Sequence, residues 1–290
     1  MELSTGLCAQ LACIWEATAR KPGNVHRYAD FEDISYRDFL LSAAAIAPIM
    51  ESATGRGVGE IVLLAVRATR QVVQTNTNLG IILLLAPLAC SSVSDWQSRL
   101  TDVLARLGVA DSRAVFEAIR LASPGGMGKV DDEDLAKEPT VPFRQIMSLA
   151  ADRDLIARQY VNGFKDVFDF GVPELQLGFE HLECLEDAVV FCHLRYLADF
   201  EDSLIARKLG KATAKEVSER AKIVLAKKWP QDPQGRAAFA EFDAWLRADG
   251  HKRNPGTTAD LVTASLFVLL RQGTITLPLS IPWQAEHHHD

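Results

Sequence analysis

The chain has 290 residues, 48% of them hydrophobic, and a formal net charge of −7. That length and apolar content suffice for a substantial core. The negative charge excludes non-specific nucleic-acid binding and electrostatic attachment to an anionic membrane, so an anionic ligand would need a local basic pocket or a metal ion.

No basic segment followed by an apolar run opens the sequence, and a cytoplasmic location is expected. The five cysteines (Cys8, Cys13, Cys90, Cys184, Cys192) form no CxxC pair and read as buried, reduced thiols. The helices announce themselves by period. Leu3, Leu7, Leu11, Ile14 and Trp15 form one stripe. Ser35 with Asp38 starts a second helix through Phe39, Ser42, Ala43, Ile46 and Met50, and a third runs over 58–73. Leu79–Cys90 is a fully apolar run, too short to span a bilayer, and reads as a buried helix. An amphipathic helix over 95–107 stops at Gly108, and Asp111 caps another over 112–121. Thr213 and Glu216 form a capping box, a helix over 237–246 carries Phe239, Phe242 and Trp245, and a second box, Thr257 with Asp260, opens a last helix over 261–270. Thr274–Leu277 alternates like a strand, but prolines follow it. The expectation is one all-α domain of ten or more helices over residues 1–280, with 281–290, including His287–His289, as a tail.

Chemistry could reside in the polar turns. Lys21, Asn24, His26 and Arg27 crowd a turn with Pro22 and Gly23; four anion donors there can neutralise phosphates, or simply complement a helix C-terminus. Thr75-Asn76-Thr77-Asn78 precedes the buried helix, and such a quartet is costly to bury unless hydrogen-bonded; it either caps or holds a phosphate or sugar. A Gly-rich turn over 123–129 leads into an acidic segment over 128–140, a functional or a merely solvated loop. Asp199, Glu201 and Asp202 cluster ahead of Arg207 and Lys208; clustered carboxylates repel unless solvated, protonated or shared with Mg²⁺. Arg153-Asp154, Asn162–Asp166 and Gly171–Glu174 could mark a helix broken beside a pocket. GxSxG, HExxH, strand-led GxGxxG and P-loop motifs are missing, so a nucleotide would be held by helix termini and metal.

Taken in order, these turns resemble the triphosphoribosyl-dephospho-CoA synthase family, whose members make the precursor of the prosthetic group of citrate lyase and malonate decarboxylase acyl-carrier subunits. The family's Glu followed by Pro-Lys-Pro-Gly-Leu-Val-Asp matches Glu16 followed by Arg20-Lys21-Pro22-Gly23-Asn24-Val25-His26. Its Ser-Ala helix matches Ser42-Ala43, and its Val-Asn-Thr-His-Lys-Gly turn matches Thr75-Asn76-Thr77-Asn78-Leu79-Gly80. Its Asp-Thr turn followed by Arg matches Asp202 to Arg207, and its closing Ser-Pro-Gly-Gly-Ser-Ala-Asp element matches Asn254-Pro255-Gly256-Thr257-Thr258-Ala259-Asp260. The family's His and Lys in the second turn are Asn78 and Leu79 here, its first-turn Asp is His26, and its Gly-Ala-Arg-Gly-Glu element is faint around Gly163–Asp166. These departures mark a divergent branch similar to proteins of archaeal-type one-carbon cofactor pathways.

The resemblance implies an all-α fold and glycosyl transfer: an acceptor ribose hydroxyl attacks C1 of the ATP ribose and adenine leaves, through an oxocarbenium-like transition state. On this reading Lys21, His26 and Arg27 hold phosphates. Gly23, Asn24, Asn76, Thr77, Asn78, Arg207, Asn254, Gly256 and Thr257 complete the nucleotide site. Asp202 and Asp260 ligate Mg²⁺ or act as the general base, and Asp166 is a further catalytic carboxylate. The partners are ATP and a small-molecule acceptor such as dephospho-CoA, without nucleic acid or membrane, and a homo-oligomer is compatible. Three other readings stand beside it: a transferase acting on another acceptor in one-carbon cofactor biosynthesis, a Mg²⁺-dependent hydrolase of a nucleotide or ribosyl compound, and a non-catalytic helical nucleotide-binding protein.

Overall fold

Recurrent 3.6-residue periodicity with scarcely a strand signal leaves helix packing as the route to a core. The computed structural model, which describes residues 3–93, 96–122 and 138–284, bears this out. Its α-helices are α1 (Thr5–Thr18), α2 (Tyr36–Glu51), α3 (Val58–Val72), α4 (Leu79–Cys90), α5 (Trp96–Ala105), α6 (Val109–Ala122), α7 (Phe143–Ala150), α8 (Leu155–Asn162), α9 (Val172–His181), α10 (Leu185–Asp199), α11 (Ser203–Leu209), α12 (Lys211–Ala226), α13 (Pro233–Arg247) and α14 (Gly256–Arg271). A π-helical turn, Asp166–Gly171, leads into α9. Among the described residues there is no strand; Thr274–Leu277 forms none, and only an isolated bridge joins His26 to Ala29. The Gly-rich turn over 123–129, most of the acidic segment over 128–140, and His287–His289 lie outside the described residues. Among the described residues no helix is long and apolar enough to cross a membrane.

Two helices are apolar all round and form the centre. In α4 every residue but Gly80 and Cys90 is buried, and in α14 every residue from Thr257 to Leu270 is buried except Asp260. At roughly 1.5–3 kcal/mol for each fully buried aliphatic side chain, this pair anchors the domain. The stripe proposed for the first helix requires correction. Of its members Trp15 is buried and Leu3, Leu11 and Ile14 pack partly against the core, but the most buried face is Cys8, Ala9, Ala12, Cys13 and Glu16, and Leu7 is 39% exposed. Small side chains let α1 lie close to α2 and α14, and the larger leucines fall to the edge.

Helix starts leave N–H groups without intrahelical partners, and here carboxylates from distant positions satisfy several of them. Glu51 accepts from Gly6 N at 2.6 Å. Asp111 accepts from Gly108 N and, with its other oxygen, from Gly59 N at the start of α3, both at 2.9 Å. Asp202 does this twice over. Its Oδ1 accepts from Leu204 N and Ile205 N, capping α11, and its Oδ2 accepts from Thr258 N and Oγ1, tying in the first turn of α14. The Ser35–Asp38 box forms, with Asp38 accepting from Ser35 N at 2.8 Å. The other two boxes do not. Helix α12 starts two residues before Thr213, whose hydroxyl donates back to Leu209 O. Helix α14 starts at Gly256, so Thr257 lies inside it and meets Ser203 Oγ at 3.1 Å instead. Beyond residue 280 the chain docks: Pro282 O and Trp283 O accept from Leu185 N and Glu186 N at the start of α10.

Candidate active site

The starts of α4 and α14 lie beside one another and open onto a cavity of about 590 Å³. Its floor is made where the two helices touch. Asp260, one turn into α14, reaches toward the start of α4, where Ile81 N–H donates to it. Gly80 permits this approach, since a Cβ there would overlap Asp260 Oδ2. Glu16 from α1 also lines the cavity, and behind it Lys21 is fully buried with its Nζ 3.0 Å from Glu16 Oε1. Lys21 also donates to the carbonyls of Glu16 and Ala19. The Lys21 side chain thus folds back under the end of its own helix.

The two carboxyls sit in unlike surroundings. Burial raises the Glu16 pKa, but the Lys21 ammonium opposes it. Asp260 is raised well above the carboxylate range by burial first, then by the charges of Glu16, Asp202 and Asp154. Both carboxyls are pushed up by burial, but only Glu16 has a cation beside it to favour its charged form, while like charges around Asp260 disfavour its own.

The walls differ in character. Helices α6, α7 and α8 with α4 supply Ile119, Met147, Ile156 and Leu83, an apolar wall. Arg207, Lys208 and His251 supply basic groups from the end of α11 and the loop before α14. Thr75, Asn76, Thr77 and Asn78 line the cavity before α4. Asn76 Oδ1 accepts from Leu79 N at 3.1 Å, Thr77 Oγ1 meets Ser42 Oγ at 2.5 Å, and Asn78 Nδ2 donates to Thr69 Oγ1 at 3.1 Å. Capping and cavity lining are therefore one arrangement. Asn24 and Asn254 join across the wall, Asn24 Nδ2 donating to Asn254 Oδ1 at 2.6 Å.

The structure thus brings Asn24, Asn76, Thr77, Asn78, Arg207, Asn254, Gly256, Thr257 and Asp260 to one cavity. It leaves the others behind the wall or away from it. Lys21 backs Glu16. Gly23 takes φ +73° and donates its N–H to Asp243 at 2.7 Å, shaping the turn. His26 is buried, its pKa lowered to about 3 by burial and by Arg247, Lys21, Arg20 and Arg27, so it is a neutral ring whose Nδ1 accepts from Tyr28 N. Arg27 is committed to Glu186 at 2.8 Å and to Thr18 O at 3.0 Å. Asp202 has both oxygens filled by helix-start donors. Asp166 holds Arg158 at 2.7 Å and Gln159 at 2.5 Å at the start of the π turn.

Residues the sequence reading gave no site role also line the cavity: Glu16, Asp154, Lys208 and His251. Asp154 caps α8, accepting from Ile156 N and Ala157 N at 2.9 Å, and approaches Arg207 at 3.8 Å. Glu16 carried a legible signal, since a carboxylate five residues before the lysine of a Lys-Pro-Gly turn is close enough for that lysine to fold back onto it. Nothing in the sequence marked His251.

An all-α domain whose helix starts, amides and two carboxyls surround one cavity is built like an enzyme site. The model of the ATP:dephospho-CoA triphosphoribosyl transferase family matches residues 3–276, and the chain belongs to this family. A crystal structure from Archaeoglobus fulgidus, of a protein provisionally named triphosphoribosyl-dephospho-CoA synthase, is similar to it with 30% sequence identity and a TM-score of 0.62, covering 81% of this chain and 99% of that one. No curated protein matched the sequence.

Proposed function

We propose that this cavity transfers the triphosphoribosyl group of ATP to dephospho-CoA. The C1–N9 bond of ATP breaks, a bond from C1 to an acceptor ribose oxygen forms, and the proton lost by that hydroxyl is balanced by the one adenine gains. The observation that carries this reading is the pair of carboxyls in one cavity with opposed environments. Glu16, backed by Lys21, is the ionised member and takes the hydroxyl proton. Asp260, crowded by like charge, is the protonated member and donates to departing adenine. Both place negative or polarisable oxygen near a ribose ring that turns positive in the transition state. Asn76, Thr77 and Asn254 position the sugar and phosphates.

The donors for a resident Mg²⁺ do not fit. Asp202 has no oxygen left unengaged, and among the described residues no group of three or more His, Cys, Asp or Glu could hold a metal. A Mg²⁺ that arrives with ATP belongs to the substrate in this reading. The protein works as a cytoplasmic enzyme on this account.

The test is chromatographic detection of adenine from ATP, with and without dephospho-CoA. Adenine formed only with the acceptor supports transfer. Adenine formed equally without it points to hydrolysis, and none under either condition overturns the proposal.

A further inference from the structure

Resting on the reading of this cavity as an ATP site, we infer that Lys208 and His251, together with Arg207, seat the triphosphate chain, and that Lys208 makes the site prefer a triphosphate over a monophosphate. The three basic residues of the first turn cannot do this, because Lys21, His26 and Arg27 are held behind the wall by Glu16, Tyr28 and Glu186. Arg207, Lys208 and His251 line the cavity instead.

Arg207 and Lys208 are neighbours in the last turn of α11, so their like charges are forced together. The Lys208 ammonium is disfavoured first by burial and then by Arg207. Among the described residues no carboxylate lies within ion-pair distance of Lys208, and the Arg207 contact with Asp154 is long at 3.8 Å. His251 is turned to the same space by Asp33, 3.6 Å from its Nδ1, and by Phe31, whose ring lies 5.5 Å away. Two crowded cations and an imidazole facing one cavity are relieved by a polyanion that spans them.

Asp260 meets the space beside Ile156 at Gly80 and feels Asp154, which approaches Arg207, so apolar, acidic and basic groups share one cavity.

The experiment is calorimetric titration of the full chain with ATP, AMP and inorganic tripolyphosphate. It compares wild type, Lys208→Gln, Lys208→Arg and, as a control on α12, Lys215→Gln. Removing one charged contact to phosphate should weaken ATP and tripolyphosphate roughly tenfold or more. AMP should change far less, Lys208→Arg should recover most of the loss, and Lys215→Gln should match wild type. Equal losses for ATP and AMP, no loss for either, or no binding of ATP and tripolyphosphate by a folded wild type would overturn the seat. If wild type yields no adenine yet Lys208→Gln loses tripolyphosphate, the transfer reading fails while the seat stands. If adenine forms and Lys208→Gln keeps its ATP affinity, the reverse holds.

Discussion

Asp260 lies so close to Gly80 that no side chain fits between them, and through that contact the first turn of α14 caps the first turn of α4. The carboxyl proposed to act on adenine is therefore positioned by a residue that has no side chain. Gly80→Ala should push Asp260 off its position. Its stability cost should be about 1–3 kcal/mol, as for other overpacking changes, but adenine release should fall by far more than the loss of folded protein explains. Comparing chemical denaturation with turnover of the same variant checks this, and a variant that is destabilised but fully active per folded molecule would contradict it.

Asp260→Asn isolates the proton. An acid whose folded pKa is raised binds its proton more tightly when folded, so its contribution to stability is present at low pH. That contribution is lost as pH rises from the unfolded value of about 3.9 toward the raised one. Burial and the surrounding carboxylates raise Asp260 in this way. The amide cannot titrate, so the wild-type protein should lose stability relative to Asp260→Asn between about pH 4 and neutrality. Denaturation curves over that range give the difference directly, and a difference independent of pH would argue against a crowded, protonated Asp260. Adenine release should be abolished in the same variant.

Lys21→Met should be severe although Lys21 never reaches the cavity. It leaves Glu16 buried without its ammonium, a loss of roughly 3–5 kcal/mol. Adding Glu16→Gln should recover much of that stability but none of the activity. Thermal melts and adenine assays on the single and double variants separate support from catalysis, and full activity in the double variant would remove Glu16 from the chemistry.

Asp202→Ala removes the acceptor that serves the free N–H groups of two helix starts at once. The expected cost is about 2 kcal/mol or more, the loss of two caps. Asp202→Asn, which can keep one acceptor oxygen, should cost less. Hydrogen exchange should show the first turns of α11 and α14 loosening together. Loosening of α11 alone would mean that the bridge to Thr258 contributes little.

Much of this was legible in the sequence. An uninterrupted apolar run identified Leu79–Cys90 to the residue, and the Ser35–Asp38 box marked the start of α2. The polar turns at 75–78 and 254–260 stood out as candidate sites, and both line the cavity, whereas Lys21, His26 and Asp202 do not join them there. Other features were not local. Thr257 with Asp260 has capping-box spacing, yet Asp260 serves a different helix, and Asp202 in an acidic run proves to be a buried cap. The basic turn at 21–27 looked like a phosphate cradle because spacing alone cannot show that Glu16, Tyr28 and Glu186 already engage it. The leucines of α1 mislead for a similar reason, since the inward face of a closely packed helix is chosen by size as well as by polarity.

The bonds that close the cavity join residues far apart along the chain. Gly23 N meets Asp243 at a separation of 220 residues, Asn24 meets Asn254 at 230, and Arg247 meets Asn24 O at 223. During synthesis the loop after α1 emerges long before α13 exists, and until then the Gly23 N–H, the Asn24 carbonyl and the Asn24 amide lack these partners. Such distant closures are slow, because the entropy of joining them is lost before any contact rewards it. The growing chain can therefore assemble α1 to α4 early while remaining unable to bind nucleotide. The wall of the cavity is complete only when Asn254 and the start of α14 have been made and have docked.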